Sequence, residues 1–399
     1  MVNNLSNGKT KDRKLVLNIG FSPGDIVVFT GSVRDLKLAY PEIQVSVTTC
    51  CPAIFEHSPH LAKVPKKYKA PQMQPNADNL NRLGFDIAKP FEALFTEILQ
   101  DRKLAMVQEG DKKVFYHVDY QGKQEGVLFT NPVLLDGSVE VEYIDVHYPD
   151  IHNCGFSGRH FSTAYHMYLE ANLGLPIPQT SLLPDLHLSD EERGWMNQVE
   201  QTTGYSGKFW LINSGYKADY PLKNWGFDRH QKVVDLLRND IQFVQVGELS
   251  KSHTHRPLSG VIDLRGKTNL REFIRLSYHA AGAVCGVTLL HHLMAAWQKP
   301  CVTIAGGREP RRWESYPHSR YMDTNGLMPC CGYNGCWLSG RRDDHGVNKV
   351  CTNMVGAGCY QEFDAGEMEP IETSARCMAM ISPERVAEEI MNHYRGGVL

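Results

Sequence analysis

Two rhythms of apolar and polar positions alternate along the chain, and their order is the first guide to the fold. KLVLNIGF (14–21) is a short β-type run that ends at SPGD, IVVFTGSVRDLKLAYPE reads as a helix closing at Pro41, and QVSVTTC alternates as a strand. Strand, glycine turn, helix and strand in succession make a βαβ opening, which predicts a parallel sheet covered by helices on both faces. From 50 to 120 the pattern is mixed, with a loop at APQMQPNADN and a predicted helix from FEALFTEILQDRK. DKKVFYHVDY and GSVEVEYIDV read as further strands.

A helix is predicted from Gly158 to Leu173, followed by LGLPIPQTSLLPDLHLS, a proline-rich passage suited to an interdomain connection. LSDEERGWMNQVEQ restarts as one helix, with Ser189 as N-cap and acids in its first turn. The βα alternation then resumes. KFWLINSG is a strand, FDRHQKVVDLLRND a helix, IQFVQVGE a strand and NLREFIRLSYHAA a helix; AGAVCGVTLLHHLMAAWQ turns from buried strand to helix, and PCVTIAGG is another strand. The economical architecture is α/β, with two doubly wound halves parted near 180–205 and a ligand cleft beyond the carboxyl ends of the strands.

Composition narrows the class. With 399 residues, 42% hydrophobic and 22% charged, the chain is long enough for two domains, each with its own core. A net charge of −3 supplies no basic field for nucleic acid, so small molecules or proteins are the expected partners. No apolar run approaches the length of about 18 residues that a membrane span needs. Residues 1–13 are polar and lack the hydrophobic stretch of a signal peptide, so a frayed tail and a cytoplasmic location are expected. Six of the eleven cysteines lie between Cys330 and Cys377, a density that in a reducing compartment argues for metal or redox chemistry.

Four stretches could carry chemistry. In FSPGDIVVFTG, Gly24 permits a tight bend and Asp25 stands at the mouth of the first helix, either as its N-cap or as a carboxylate that takes a proton from a hydroxyl. The G-x-G-x-x-G dinucleotide fingerprint is absent. LINSGYKADYPLKNWG ends a strand at Ser214 and Gly215 and adds Lys217 and Lys223, a set suited to a diphosphate, with Trp225 pinning the loop. GVTLLHHLMAAW offers His291 and His292, one expected in the core and the other facing the cleft. AGGREPRRWESYP follows a buried strand with Arg308, Glu309, Arg311 and Arg312, an anion or ribose site or a surface cluster.

FSPGDIVVFTGSVRDLKLAYP, LINSGYKADYPLKNW and LRGKTNLREFIRLSYHAAGAVCGVTLLHHLMAAWQKPCVTIAGG, in this order, resemble the ADP-heptose heptosyltransferases of glycosyltransferase family 9. The resemblance implies a GT-B fold of two Rossmann-like domains, with acceptor-side residues in 14–185 and the nucleotide sugar bound by 186–328. It implies Asp25 as general base, Lys223 on the donor diphosphate, Thr288 and His292 lining the nucleotide site, and Glu248 at the ribose. The chain departs from the family at Val287-Thr288-Leu289, where the lipopolysaccharide enzymes carry Asp-Thr-Gly, so an acidic donor contact is missing.

The tail CC…GCW…C…RCMAMISPERV resembles the autotransporter heptosyltransferase branch, whose members glycosylate proteins, hold iron on cysteines and form large assemblies. Residues 329–380 are accordingly expected to bind a metal and 381–399 to form a closing helix, SPERVAEEIMNHY, with Ser382 as N-cap and Pro383 at N1. A tetrahedral thiolate site needs four sulfurs at about 2.3 Å from the metal. Cys331 and Cys336, on either side of GYNG, with Cys351 and Cys377 are the expected ligands; Cys330 could replace Cys331, and Cys359 could replace Cys351. Four thiolates do not separate iron from zinc, and the resemblance favours iron. Such a closed site clamps the chain and leaves no position for substrate. The expected function is transfer of a heptose from ADP-heptose to a hydroxyl of a protein or other acceptor, without a divalent metal at the diphosphate. A sugar-nucleotide epimerase, and a metal or redox sensor with a vestigial nucleotide cleft, are the alternatives.

Overall fold

The computed structural model describes residues 13–63, 74–75, 80, 104–109, 112–118, 124–131, 134–136, 139–146, 158–217, 220–250, 253–332, 334–337, 354–355 and 374–396. The tail before Arg13 and the helix expected at FEALFTEILQDRK lie outside these residues. The chain divides into two compact units, one of Met1–Ile19, Tyr40–Thr48 and Leu61–Val146, the other of Gly20–Ala39, Thr49–His60 and His147–Leu399.

The first unit holds strands β1 (Lys14–Ile19), β2 (Gln44–Thr49), β3 (Gln74–Pro75), β4 (Leu104–Glu109), β5 (Lys112–Val118), β6 (Gln124–Asn131), β7 (Leu134–Asp136) and β8 (Val139–Asp145). One sheet runs β2-β1-β8-β7, with β1 parallel to β8 in the register Lys14↔Val141 to Asn18↔Asp145. Asn18 links its strands by donating to Asp145 Oδ1 at 2.8 Å and accepting from Thr48 Oγ1 at 2.8 Å. A second, antiparallel sheet, β3-β6-β5-β4, departs from the doubly wound expectation for this half. The physical reason is loop length: only a hairpin-length connection separates Glu109 from Lys112, and parallel pairing needs a crossover of about a dozen residues.

The second unit begins with helix α1 (Pro23–Ala39), followed by α2 (Phe161–Leu173), α3 (Asp190–Gly194) and α4 (Gln198–Thr203). LSDEERGWMNQVEQ, expected as one helix, is two. Ser189 and Glu192 close a capping box on α3, Trp195 is extended, and the Asn197 side chain starts α4 by accepting from Glu200 N. That second cap satisfies donors that a continuous helix would satisfy with carbonyls.

The sheet of this unit contains β9 (Phe209–Ile212), β11 (Gln242–Gln245), β13 (Ile262–Asp263), β14 (Gly282–Gly286), β15 (Cys301–Gly306) and β16 (Ser319–Asp323); the short β10 (Tyr216–Lys217) and β12 (His253–Thr254) pair apart from it. Its order is β13-β11-β9-β14-β15-β16, with each neighbouring pair parallel. The chain thus starts at the centre, moves outward, then returns to β14 beside β9. That reversal is a topological switch point, where the carboxyl ends of β9 and β14 diverge and leave a crevice. FWLI and CVTIAG are buried at every position, as strands with both faces covered must be. Helices α5 (Phe227–Leu237), α6 (Leu270–His279), α7 (Leu289–Ala296), α8 (Arg311–Glu314), α9 (Arg376–Ala379) and α10 (Pro383–Tyr394) complete the unit. The expected closing helix is α10: Ser382 accepts from Arg385 N, Pro383 opens it, and Val386 and Ile390 join the core of Trp210, Trp225 and Val233. Trp225 Nε1 donates to Ile381 O at 2.9 Å, so the loop that carries Lys223 is pinned to the chain's end. Among the described residues no helix is long and apolar enough to cross a membrane.

Helix α1 is buried along most of its length, and Gly31 lets it approach the passage after α2: a Cβ there would lie 2.9 Å from Leu183 O. One face is held by Asp35, fully buried, which accepts from Arg34 Nε at 2.9 Å and Thr180 N at 3.0 Å and bonds His166 Nε2 at 2.7 Å. Burial alone would raise this carboxyl, but bonds from His166, Arg34 and Thr180 hold it well below the ordinary range. Asp35→Ala is expected to cost about 3–5 kcal/mol, because it strands buried partners. A carboxyl that titrates lower in the native than in the unfolded chain contributes fully above about pH 4 and loses its contribution as the pH falls further. Urea unfolding at descending pH should therefore show the gap between wild type and variant closing in acid; a gap independent of pH would refute the assignment.

Candidate active site

The switch point gathers most of the residues that the sequence singled out. Beyond β14, Val287 leads to Thr288, which stands at the N-cap of α7 with its hydroxyl making no cap bond. Lys223 reaches this point from the loop before α5: its Nζ donates to Val287 O at 3.0 Å and pairs with Glu309 Oε1 at 2.9 Å. Glu309, just after β15, also pairs with Arg308. Burial pushes the Glu309 carboxyl up, but Arg308 and Lys223 outweigh it and keep the group ionised. The Arg308 guanidinium in turn lies over the Tyr220 ring at 5.0 Å.

Val287, where an acid was missing, is buried and packs with Ala305 and Tyr321. A carboxylate at 287 would have to be desolvated among apolar groups. The carboxylate beside Lys223 comes instead from Glu309 on the neighbouring strand's end.

Asp25 is in the same unit. It is not the N-cap of α1, because Ser22 O already accepts from Ile26 N, which leaves Asp25 half-buried in the first turn. Gly24 brings this turn onto α7: a Cβ would lie 3.1 Å from His292 Cδ2 and 3.6 Å from Leu289 Cα. Two helix N-termini therefore meet here, and their exposed N–H groups favour negative charge. His292 bonds the Tyr316 hydroxyl through Nδ1 at 2.9 Å and has Nε2 3.7 Å from Glu314 Oε2. Burial, then the nearby His291, Lys223 and His160, hold His292 well below its ordinary value, so the ring is neutral. His291 is the core histidine of the pair, bonded to Glu314 O and Thr303 Oγ1, each at 2.8 Å.

Three groups were not visible as site residues in the sequence. Glu314 is buried, and burial, then the charges of Glu309 and Asp25, push its carboxyl well above the ordinary range, which favours the protonated form. Tyr316 is raised by burial, then by Glu314 and Asp25, and stays a neutral hydroxyl. His160, just before α2, sets its ring 5.0 Å from that of Tyr316. The only hint was the place of Glu314 and Tyr316 in REPRRWESYP beside Glu309; nothing in the sequence pointed to His160. Among the described residues, Thr288 Oγ1, Glu309 Oε2, Glu314 Oε2 and His160 Nε2 are buried without a hydrogen-bond partner. Folded proteins satisfy nearly all such atoms, so a cluster of them marks a place made for a polar ligand.

The other candidates lie further along the sheet edge. Ser214 Oγ accepts from Gln245 Nε2 at 2.9 Å, and a Cβ on Gly215 would collide with the His255 ring, which covers this turn. Lys217 is in β10, opposite His253 of β12. Glu248 is exposed, with His253 Nδ1 3.5 Å away. The structure does not bring these four to Lys223 as it does Thr288, His292 and Glu309.

The cysteines gather at a different edge. Gly306 and Gly307 end β15, and a Cβ on Gly307 would lie 2.8 Å from Cys331 Sγ and 3.3 Å from Cys377 Cβ. Cys336 N donates to Gly307 O at 3.1 Å. Burial raises the Cys377 thiol, and the nearby Cys331 and Cys330 thiols raise it further. Cys331, Cys336 and Cys377 thus converge on one glycine turn; Cys351 and Cys359 lie outside the described residues, and no four-cysteine site is seen among those that are described.

A parallel sheet with a cation, two helix N-termini and unpaired polar atoms at its switch point is an α/β arrangement suited to an anionic ligand, of the GT-B class. Residues 157–330 match glycosyltransferase family 9 (heptosyltransferase). The chain thus carries a heptosyltransferase-family domain and is a glycosyltransferase; Asp25 lies outside the matched residues. Among solved structures, ADP-heptose lipopolysaccharide heptosyltransferase II of E. coli is similar over 95% of this chain and 97% of its own, at 15% identity and a TM-score of 0.51. The iron-containing dodecameric glycosyltransferase TibC of enterotoxigenic E. coli is similar over 97% of this chain and 78% of its own, at 14% identity and a TM-score of 0.53. TibC in complex with ADP-D-beta-D-heptose gives a TM-score of 0.51 at 14% identity. Likeness at such identities establishes the fold. No curated protein sequence matches the chain.

Proposed function

We propose that the protein transfers a heptose from ADP-heptose to a hydroxyl of a protein or other acceptor, with Asp25 as general base. The observation that carries this reading is the cluster of the partly exposed Lys223 with Thr288, Glu309 and Glu314, the last three of which have buried polar atoms without a partner. The acceptor oxygen attacks the anomeric carbon, the bond from that carbon to the diphosphate breaks, and ADP leaves. Asp25 takes the hydroxyl proton as the new bond forms. Lys223, the Thr288 hydroxyl and the N-terminus of α7 meet the charge that grows on the departing diphosphate. Glu314, kept neutral by its surroundings, donates a hydrogen bond where an ionised carboxylate would repel the donor. With Tyr316 donating to His292 Nδ1, the histidine proton sits on Nε2 and serves in the same way. Glu309 supplies the acidic contact that Val287 cannot. Ser214, Gly215, Lys217 and Glu248 belong, on this reading, to the nucleotide end of the site.

The chemistry of the tail fits a metal clamp, with Cys331, Cys336 and Cys377 as ligands and Cys351 as the fourth. Iron is the metal by likeness to TibC, whose dodecamer is also the basis for expecting an oligomer here. The cytoplasm, which supplies nucleotide sugars, is the proposed location.

Incubation with ADP-heptose, with and without candidate protein and glycan acceptors, tests the reading. Acceptor-dependent release of ADP, with a mass gain of one heptose on the acceptor, is expected. Conversion of ADP-heptose into an epimeric ADP-sugar without acceptor would point to an epimerase, and absence of ADP-heptose binding would overturn the proposal. Iron and zinc content should fall in Cys377→Ser relative to wild type; equal content would remove Cys377 from the ligand set.

A further inference from the structure

Away from the switch point, two imidazoles and a carboxylate converge where the segment Thr49–His60 meets the passage before α3. His187 Nε2 lies 2.7 Å and His60 Nε2 3.2 Å from the same oxygen, Asp185 Oδ2. The two rings are 5.7 Å apart, and the three ligand atoms lie within 4.8 Å of one another. A tetrahedral zinc site with bonds of about 2.0–2.1 Å separates neighbouring ligand atoms by about 3.4 Å. The His60 edge is already close to that length, and the His187 edge needs only a small opening.

The three residues are held by independent anchors. Asp185 N donates to Thr30 Oγ1 at 2.7 Å, and His187 O accepts from Arg271 Nη2 at 2.9 Å. On the facing segment, Ala53 O accepts from Arg271 Nη1 at 3.1 Å. Arg34, the guanidinium nearest in sequence to Thr30, bonds Asp35 and Leu183 O rather than Asp185, although its charge and that of Lys37 reach His60. A neighbouring set, Glu56, His57 and Glu192, makes an instructive contrast. Arg271 already occupies it, with Nε 2.7 Å from Glu192 Oε1 and 3.2 Å from Glu56 Oε2. Among the described residues, the groups on the Asp185 carboxylate are the two imidazoles. The three side chains are between 18% and 26% exposed, which leaves a path for an ion and a side open to water.

We propose that His60, Asp185 and His187 form a transition-metal site of two nitrogens and one oxygen, which takes Zn2+ with a water in the fourth position. Both rings bind through Nε2 and carry their proton on Nδ1. The ion fastens the segment Thr49–His60 to the passage before α3. This site is separate in residues and in ligand chemistry from the cysteine clamp and does not depend on the proposed transfer reaction.

Equilibrium dialysis of the full chain against Zn2+, followed by elemental analysis, tests the site in wild type, His187→Gln, Asp185→Asn and Cys331→Ser. One equivalent of zinc should be lost in the first two variants and retained at this site in the third. Co2+ at the site should give ligand-field bands that persist in Cys331→Ser without a thiolate charge-transfer band. Bound metal raises the melting temperature of the state that binds it, so added Zn2+ should raise that of wild type and not of His187→Gln. Equal zinc content in wild type, His187→Gln and Asp185→Asn would overturn the proposal. Should the variants fail to fold, diethylpyrocarbonate labelling of wild type decides it: Zn2+ should protect His60 and His187, and unchanged labelling would refute the site.

Discussion

Asp25→Asn is expected to lower sugar transfer by about 10²–10⁴-fold, the usual contribution of a positioned general base. The amide keeps the size of the side chain and its place in the first turn of α1, but it cannot accept a proton. A carboxylate near a helix N-terminus contributes only about 0.3–1 kcal/mol to stability, so the melting temperature should change little. ADP binding should persist, because the nucleotide contacts proposed here come from β9, β14 and their following loops. The variant also reports on Glu314. Asp25 is one of the charges that raise that carboxyl, so removing it should move the alkaline limb of Glu314-dependent donor binding to lower pH. Transfer at the wild-type rate would exclude Asp25 as the base and direct attention to another carboxylate.

Lys223→Met should produce the second large effect. Removing one pre-placed donor from a developing anion costs about 10²–10³-fold in turnover. The lysine also holds Glu309, which is buried and would keep the Arg308 ion pair alone among the described residues. Donor affinity should therefore fall together with kcat, because a less compensated Glu309 opposes the diphosphate. Pairing the change with Glu309→Gln separates the two roles: the double variant should recover donor binding but not turnover. If Lys223→Met alone changed neither KM nor kcat, the lysine would be a structural tie between Val287 O and Glu309 and nothing more.

The fold was legible in the sequence wherever a short window carries the signal. β9 and β15 appear in the structure where continuous apolar runs predicted buried strands, and α10 begins at its Ser-Pro cap. The antiparallel sheet of the first unit was not foreseen. Its strands read as strands, but partner and direction depend on the lengths of the connections. The break at Trp195 was missed for a related reason: the acidic, amphipathic pattern continues through it, while Asn197 offers a competing start.

By itself the sequence determined the order of elements, the parallel sheet with its central reversal, and several residues that reach the switch point, Lys223, Thr288, His292 and Glu309. Turns, caps and apolar runs are local properties, and loops after parallel strands have only one edge of the sheet to occupy. The tertiary structure decided which charges meet. It put Glu309 rather than residue 287 beside Lys223, brought the Asp25 turn onto His292 through Gly24, and raised the Glu314 carboxyl by burial and by the charges of Glu309 and Asp25. No window of WESYP could reveal that last state, because a carboxyl's ionisation depends on burial and on neighbours that lie hundreds of residues away in the chain.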